Sequence, residues 1–300
     1  MSSERPTVRP VTLARLVELT NLCETRPQPT DAVEDHLDVT RRRARETILE
    51  AARIGLVDEV DGGGDDPQYE TTATGDEFLA AVRREAWSEV SAILETGSPH
   101  YAAFIAAVNN IGPATLGGIL ERLEETAQAS AYTYNQTSVE VVGDWAERLG
   151  AVQRNAFTGD YYVVDIDSVP SSFPDVLLGV VEELEETAGV NLRQRYVSIP
   201  ELREFVCERL SCTRPAFDEA LTALASQNIG KIELIGAPID TGAKNADLGI
   251  KEIALSDEDR LVSTAQSTEQ VMQGVEQYDK QYYYMAVHDR DLVFTQEETA

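Results

Sequence analysis

Arg41, Arg42, Arg43 and Arg45 place four guanidinium groups within five positions of a chain that is otherwise strongly acidic. A guanidinium is permanently charged and forked, so it grips a phosphate, or the O6/N7 edge of guanine, through two hydrogen bonds. With Ala44 and Ile48 turned inward on a helix, Arg42 and Arg43 point outward and Arg45 lies on the flank. Glu46 follows at the i+3/i+4 spacing that lets a carboxylate neutralise Arg42 and Arg43, and Glu50, one turn further along, is expected to join it. Two other segments carry weaker sets. Asn135, Gln136, Thr137 and Ser138 open a helical pattern with amides suited to adenine edges, and Arg148 and Arg154 stand nearby. Thr213 and Arg214 open another, with Lys231 and Lys244 beyond it and Asp218 and Glu219 close by.

These cations stand against a heavy background of acid. The 300 residues carry 53 Asp and Glu against 25 Lys and Arg, a formal charge of −28. Such a field repels a polyphosphate on average, which excludes a generally basic nucleic-acid coat but leaves room for a local basic surface. Only four of the basic residues are lysines: Lys231, Lys244, Lys251 and Lys280. Acid excess with lysine depletion resembles the proteins of extreme halophiles, whose cytosol holds molar salt. At ~1 M salt the Debye length is about 3 Å, so such a chain does not repel itself or DNA at range.

Enzyme and metal signatures are missing. The one Gly-Lys step, Gly230-Lys231, runs into Ile232, so no Walker loop forms. None of the four lysines follows an acid at the spacing of a restriction-type nuclease. His36, His100 and His288 are isolated, and Cys207 and Cys212 lack a second ligand pair. Cys23, Cys207 and Cys212 make no disulfide framework. The expectation is no catalytic residue, no cofactor and no metal. Met1 to Pro10 is polar and no apolar run reaches the ~18 residues of a membrane span, so a soluble, cytoplasmic chain is expected.

The elements that position the arginines recur along the chain. Thr40 to Ile54, Gln136 to Leu149 and Arg214 to Gln227 each read as an amphipathic helix followed by a short β-like run, a polar tip and a second β-like run. The tips are Asp61 to Pro67, Asn155 to Asp160, and a longer one from Gly236 to Leu248, with Gly249 to Leu255 as the third return strand. Gly55 and Gly150 stand where a glycine ends a helix. Two more helical stretches precede each of these: Val11 to Cys23 and Thr30 to Leu37, His100 to Asn109 and Ala114 to Glu125, Asp175 to Ala188 and Pro200 to Leu210. A short strand, Tyr196 to Ile199, lies within the last set. Ala73 to Glu95 reads as one long helix, Thr264 to Tyr278 as a polar helix, and Gln281 to Val287 as a strand whose tyrosines are half-buried.

Three helices followed by a two-stranded wing resemble the winged helix-turn-helix family. The resemblance covers roughly residues 10–255 as three copies, and it rests on element order rather than on a rigid signature. It implies a mainly α chain with small β-hairpins (α+β), built as three tandem winged-helix domains. The expected domains are 10–95, 96–168 and 172–255, with a C-terminal extension over 256–300. It further implies that the third helix of a unit enters the major groove of double-stranded DNA. Arg41, Arg42, Arg43 and Arg45 would then be the principal contacts, joined by Asn135, Gln136 and Arg214. A non-enzymatic, transcription-regulator-like role follows, in an archaeal cytosol. The alternative is an adaptor subunit of a DNA-processing or antiviral-defence complex, whose winged helices bind protein or a second copy and not DNA. The acidic tip with Asp61, Asp65 and Asp66 favours that alternative, because it repels phosphate.

Overall fold

The computed structural model describes residues 6–61, 66–127, 131–165, 168–187, 196–236, 253–254, 261–262, 271–278 and 280–295. Among these the chain is mainly helical, with eleven α-helices and small antiparallel sheets. It divides into two compact units, Met1–Val152 with Ile250–Ala265, and Gln153–Gly249 with Gln266–Ala300.

In the first unit the Thr12 hydroxyl accepts from Arg15 N and opens α1 (Leu13–Glu24), whose Leu13, Leu16, Val17 and Leu19 are buried. Strand β1 (Gln28–Pro29) leads into α2 (Thr30–His36) and α3 (Arg41–Ile54). Helix α3 ends where the sequence indicates. Gly55 has φ +87°, Gly55 N–H donates to Ala52 O at 3.1 Å, and Leu56 N–H donates to Ala51 O at 2.9 Å. This is a Schellman closure, whose left-handed position strongly favours glycine. Strands β2 (Val57–Val60) and β3 (Gln68–Thr71) follow, and the sheet order is β1-β3-β2 with Glu59 opposite Tyr69.

The long helix expected over Ala73 to Glu95 is instead two helices, α4 (Ala73–Arg83) and α5 (Trp87–Gly97). Glu85 adopts φ +56° and its N–H donates to Val82 O, while Ala86 N–H donates to Ala81 O. The same closure that glycine provides at α3 is made here by a glutamate. The apolar stripe continues across the break, with Phe78, Leu79, Val82, Val90 and Leu94 buried, so periodicity alone conceals the turn. Helices α6 (Pro99–Ile111), α7 (Leu116–Ala127) and α8 (Gln136–Arg148) complete the helical part of the unit. Trp145 of α8 is fully buried and donates its indole N–H to Val11 O at 3.0 Å, tying α8 to the segment before α1.

A hairpin of β4 (Val152–Arg154) and β5 (Tyr161–Val163) follows α8 at the boundary between the units. The second unit then runs through α9 (Phe173–Thr187), β6 (Val197–Ser198), α10 (Ile199–Leu210), α11 (Arg214–Gln227) and β7 (Ile232–Ile235). Its core is Phe173, Leu177, Leu202, Val206, Phe217, Leu221, Leu224 and Met285. The return strand expected for β7 is Gly249 to Leu255, most of which lies outside the described residues. The described part of that segment, β8 (Ile253–Ala254), pairs with β9 (Leu261–Val262).

One further expectation for the tail is corrected. Thr264 to Tyr278 is expected to be helical, yet its described residues include β10 (Val275–Gln277), hairpinned with β11 (Lys280–Tyr282). Val275 is buried and Tyr278 turns at φ +53°, so strand pairing overrides the polar helical pattern. The return strand for β7 is β12 (Tyr284–Val287), with Met285 opposite both Leu234 and Val197. The resulting order, β6-β12-β7, repeats β1-β3-β2: the last strand in the chain is the central one in each sheet.

Candidate nucleic-acid interface on the third helix

Helix α3 presents its arginines because its other face is taken by the core. Ala44, Ile48 and Ala51 are buried, and Arg41, Arg42, Arg43 and Arg45 are exposed around them. The Arg42 side chain is 87% exposed. Leu49 lies on the same outward face, one turn beyond Arg45, and is 45% exposed. Sequence reasoning did not single out Leu49, although its offset from the buried positions marks it as outward.

The face is partly neutralised. Arg42 Nε donates to Glu46 Oε1 at 3.2 Å and Arg43 donates to Glu46 Oε2 at 3.0 Å. Arg41 pairs with Asp31 of α2. The second counter-ion expected from sequence, Glu50, points the other way. It is fully buried, pairs with Arg53, and accepts Arg9 N–H at 3.1 Å. Burial pushes the Glu50 carboxyl above its ordinary range, with Arg53 and Arg9 opposing. Arg53 in turn donates to His100 Nδ1 at 3.2 Å, and His100 Nε2 lies 2.9 Å from Pro6 O. The carbonyl only accepts and the guanidinium only donates, which fixes His100 as the neutral Nε2–H tautomer. Burial and then Arg53 hold its pKa below the usual value.

The β2–β3 hairpin beside α3 carries acidic side chains at most of its described exposed positions. Asp58 and Glu59 of β2, Asp61 and Asp66 at its tip, and Glu70 of β3 are all exposed, whereas Asp65 lies outside the described residues.

Helix α8 offers less. Asn135 is its N-cap: its side-chain oxygen accepts Ser138 N–H at 2.9 Å, and Ser138 Oγ accepts Asn135 N–H at 2.9 Å. Gln136 is exposed and donates to Glu140 at 2.8 Å. Arg148 is bound to both oxygens of Asp144 at 2.9 Å, and the Arg154 guanidinium lies 5.8 Å from the centre of the Tyr161 ring.

Arg214, expected at the DNA-facing start of the last helix, is inside the second unit. It is 6% exposed and bound through two nitrogens to the fully buried Glu204 of α10. Its Nη2 also donates to Arg154 O at 2.8 Å. The tip of the β4–β5 hairpin covers the place: Ala156 N–H donates to Glu204 at 2.8 Å and Asn155 donates to Glu208 at 2.6 Å. A buried guanidinium bonded in this way has no access to a duplex, and the expectation for Arg214 is withdrawn. The partner was hidden because Glu204 stands on another helix. Lys244 lies outside the described residues.

Tyr283 is buried and Tyr282 and Tyr284 are half-buried, as expected for a strand. Cys23, Cys207 and Cys212 are free, buried thiols. Among the described residues no group of three or more His, Cys, Asp or Glu side chains is placed to hold a metal ion. Among the same residues no helix is long and apolar enough to cross a membrane. A comparison with protein-family models finds no match to the chain, and a comparison with curated protein sequences finds none either.

Proposed function

We propose that this is a non-enzymatic, transcription-regulator-like DNA-binding protein of tandem winged-helix units, and that α3 is the helix that meets the duplex. The element order α1-β1-α2-α3-β2-β3 supports the winged-helix reading, as does its recurrence in α9-β6-α10-α11-β7-β12. The second copy, 96–168, is the least complete, since its described residues hold no strand between its first two helices. One observation carries the functional reading: of the three helices that precede wings, α3 is the one with a cluster of exposed arginines. On α11 the exposed positions are Pro215, Glu219, Ser226 and Gln227, and Arg214 is buried. On α8 the exposed positions are Gln136, Thr137 and Glu140. Asn135 and Gln136 remain secondary contacts in this reading, and the halophile-like charge balance lets an acidic chain approach DNA in molar salt.

The test is binding to a random-sequence duplex pool by fluorescence anisotropy, titrated across KCl. Arg42→Ala with Arg43→Ala is expected to lower affinity at least about ten-fold, from ~1–3 kcal/mol per good guanidinium contact. If both arginines meet phosphate, the slope of log K against log salt flattens by about two. Unchanged affinity and slope in the double variant overturn the assignment of α3. The acidic wing and the exposed Leu49 favour a second reading, in which the same helix docks an adaptor onto a protein partner. No duplex binding at any salt, with stable co-purification of a larger assembly in high KCl, decides for that reading.

A further inference from the structure

Glu46 occupies a particular position on α3. Its side chain is only 15% exposed, held on the inner flank of the helix, while the two arginines it binds project into solvent. One carboxylate therefore serves two guanidinium groups, Arg42 through Oε1 and Arg43 through Oε2. A phosphate approaching this face presents the same pair of acceptor oxygens and the same charge to the same donors.

We propose that Glu46 is a built-in competitor for phosphate, which sets how much of the Arg42 and Arg43 charge the helix shows to a nucleic-acid backbone. The inference rests on the reading of α3 as the DNA-facing helix. Asp31 plays the same part for Arg41 from α2, so three of the four arginines are met by two carboxylates. The consequence is a helix that discriminates against weak or isolated anions. Only a duplex, which engages several guanidinium groups together, replaces both carboxylates at once. Exposed ion pairs of this kind are weak individually, so the brake is shallow and readily released.

The experiment is a double-mutant cycle read by anisotropy on the random duplex pool. Glu46→Gln is expected to tighten binding about three- to ten-fold, the worth of two exposed pairs. In the Arg42→Ala, Arg43→Ala background the same substitution is expected to change affinity less than two-fold. Asp58→Asn, which removes an exposed charge of β2 and leaves the Glu46 pairs with both arginines in place, should give a smaller gain of equal size in both backgrounds. Asp31→Asn provides a second arm if Glu46→Gln disturbs the helix, and it should tighten binding through Arg41. A wild type that binds duplex while Glu46→Gln binds equally well overturns the competitor role alone. A gain that persists without Arg42 and Arg43 does the same, since it reduces Glu46 to general repulsion. Absence of duplex binding in every variant overturns the DNA reading itself, and this inference with it.

Discussion

His100 is held between an acceptor-only carbonyl and a donor-only guanidinium, and Tyr132 and Tyr134 pack their rings 5.2 and 5.1 Å from it. Protonation puts a second cation against Arg53, with Arg9 also near through Glu50. The folded-state pKa of His100 is therefore depressed, by burial first and Arg53 second. The sign follows: above the unfolded value of ~6.5 both states are neutral and the contribution is complete, and it is lost as pH falls from there towards the folded value. The raised Glu50 carboxyl acts in the opposite sense, because the folded state takes its proton more readily. Comparing thermal melts of wild type and His100→Gln at about pH 7.5 and pH 5.5 isolates the histidine. The wild type is expected to lose more stability on acidification than the variant. Equal losses would mean that His100 is not kept neutral by this network.

At the scale of elements, the contrast between α3 and α11 is the informative one. Both helices were legible in sequence, and α11 spans the expected Arg214–Gln227, because apolar spacing and capping residues are local signals. What surrounds a helix is not local. Arg214 and Arg42 look alike as helix-opening arginines, yet one binds Glu204 in the core and the other faces solvent. Likewise β12 closes the sheet of β7 from far along the chain, and no turn motif beside β7 announces it. The break between α4 and α5 was equally silent, since a left-handed glutamate carries no sequence mark. Gly55 was legible because glycine is the residue that fits such a closure, and Gly55→Val should destabilise the first unit by about 1–2 kcal/mol. A denaturant midpoint unchanged by that substitution would contradict the closure. Arg214→Ala should cost about 3–5 kcal/mol by stranding Glu204, in the same measurement, while leaving duplex affinity alone. Loss of duplex binding at full stability would return Arg214 to the interface.

For the whole molecule, a formal charge of −28 on 300 residues is a constraint on conditions as much as on partners. Self-repulsion between exposed acids is screened within about 3 Å at ~1 M salt, against ~30 Å at 0.01 M. Unfolding is therefore expected to be sharper and to occur at higher temperature in about 2 M KCl than in salt-free buffer, in keeping with the charge repulsion that high salt removes. A salt-free melt of equal midpoint and sharpness would remove the halophile-like reading of the composition. The same background makes the arginine cluster on α3 meaningful, because four guanidinium groups within five positions stand against an excess of acid. The most direct measurement is amide hydrogen exchange with and without a saturating random duplex, in the highest KCl that still permits binding. The account predicts new protection centred on α3 and the turn before it, a smaller effect confined to the start of α8 around Asn135 and Gln136, and α11 unchanged. Protection centred on α8 or α11, or no change on α3 while duplex is bound, would contradict it.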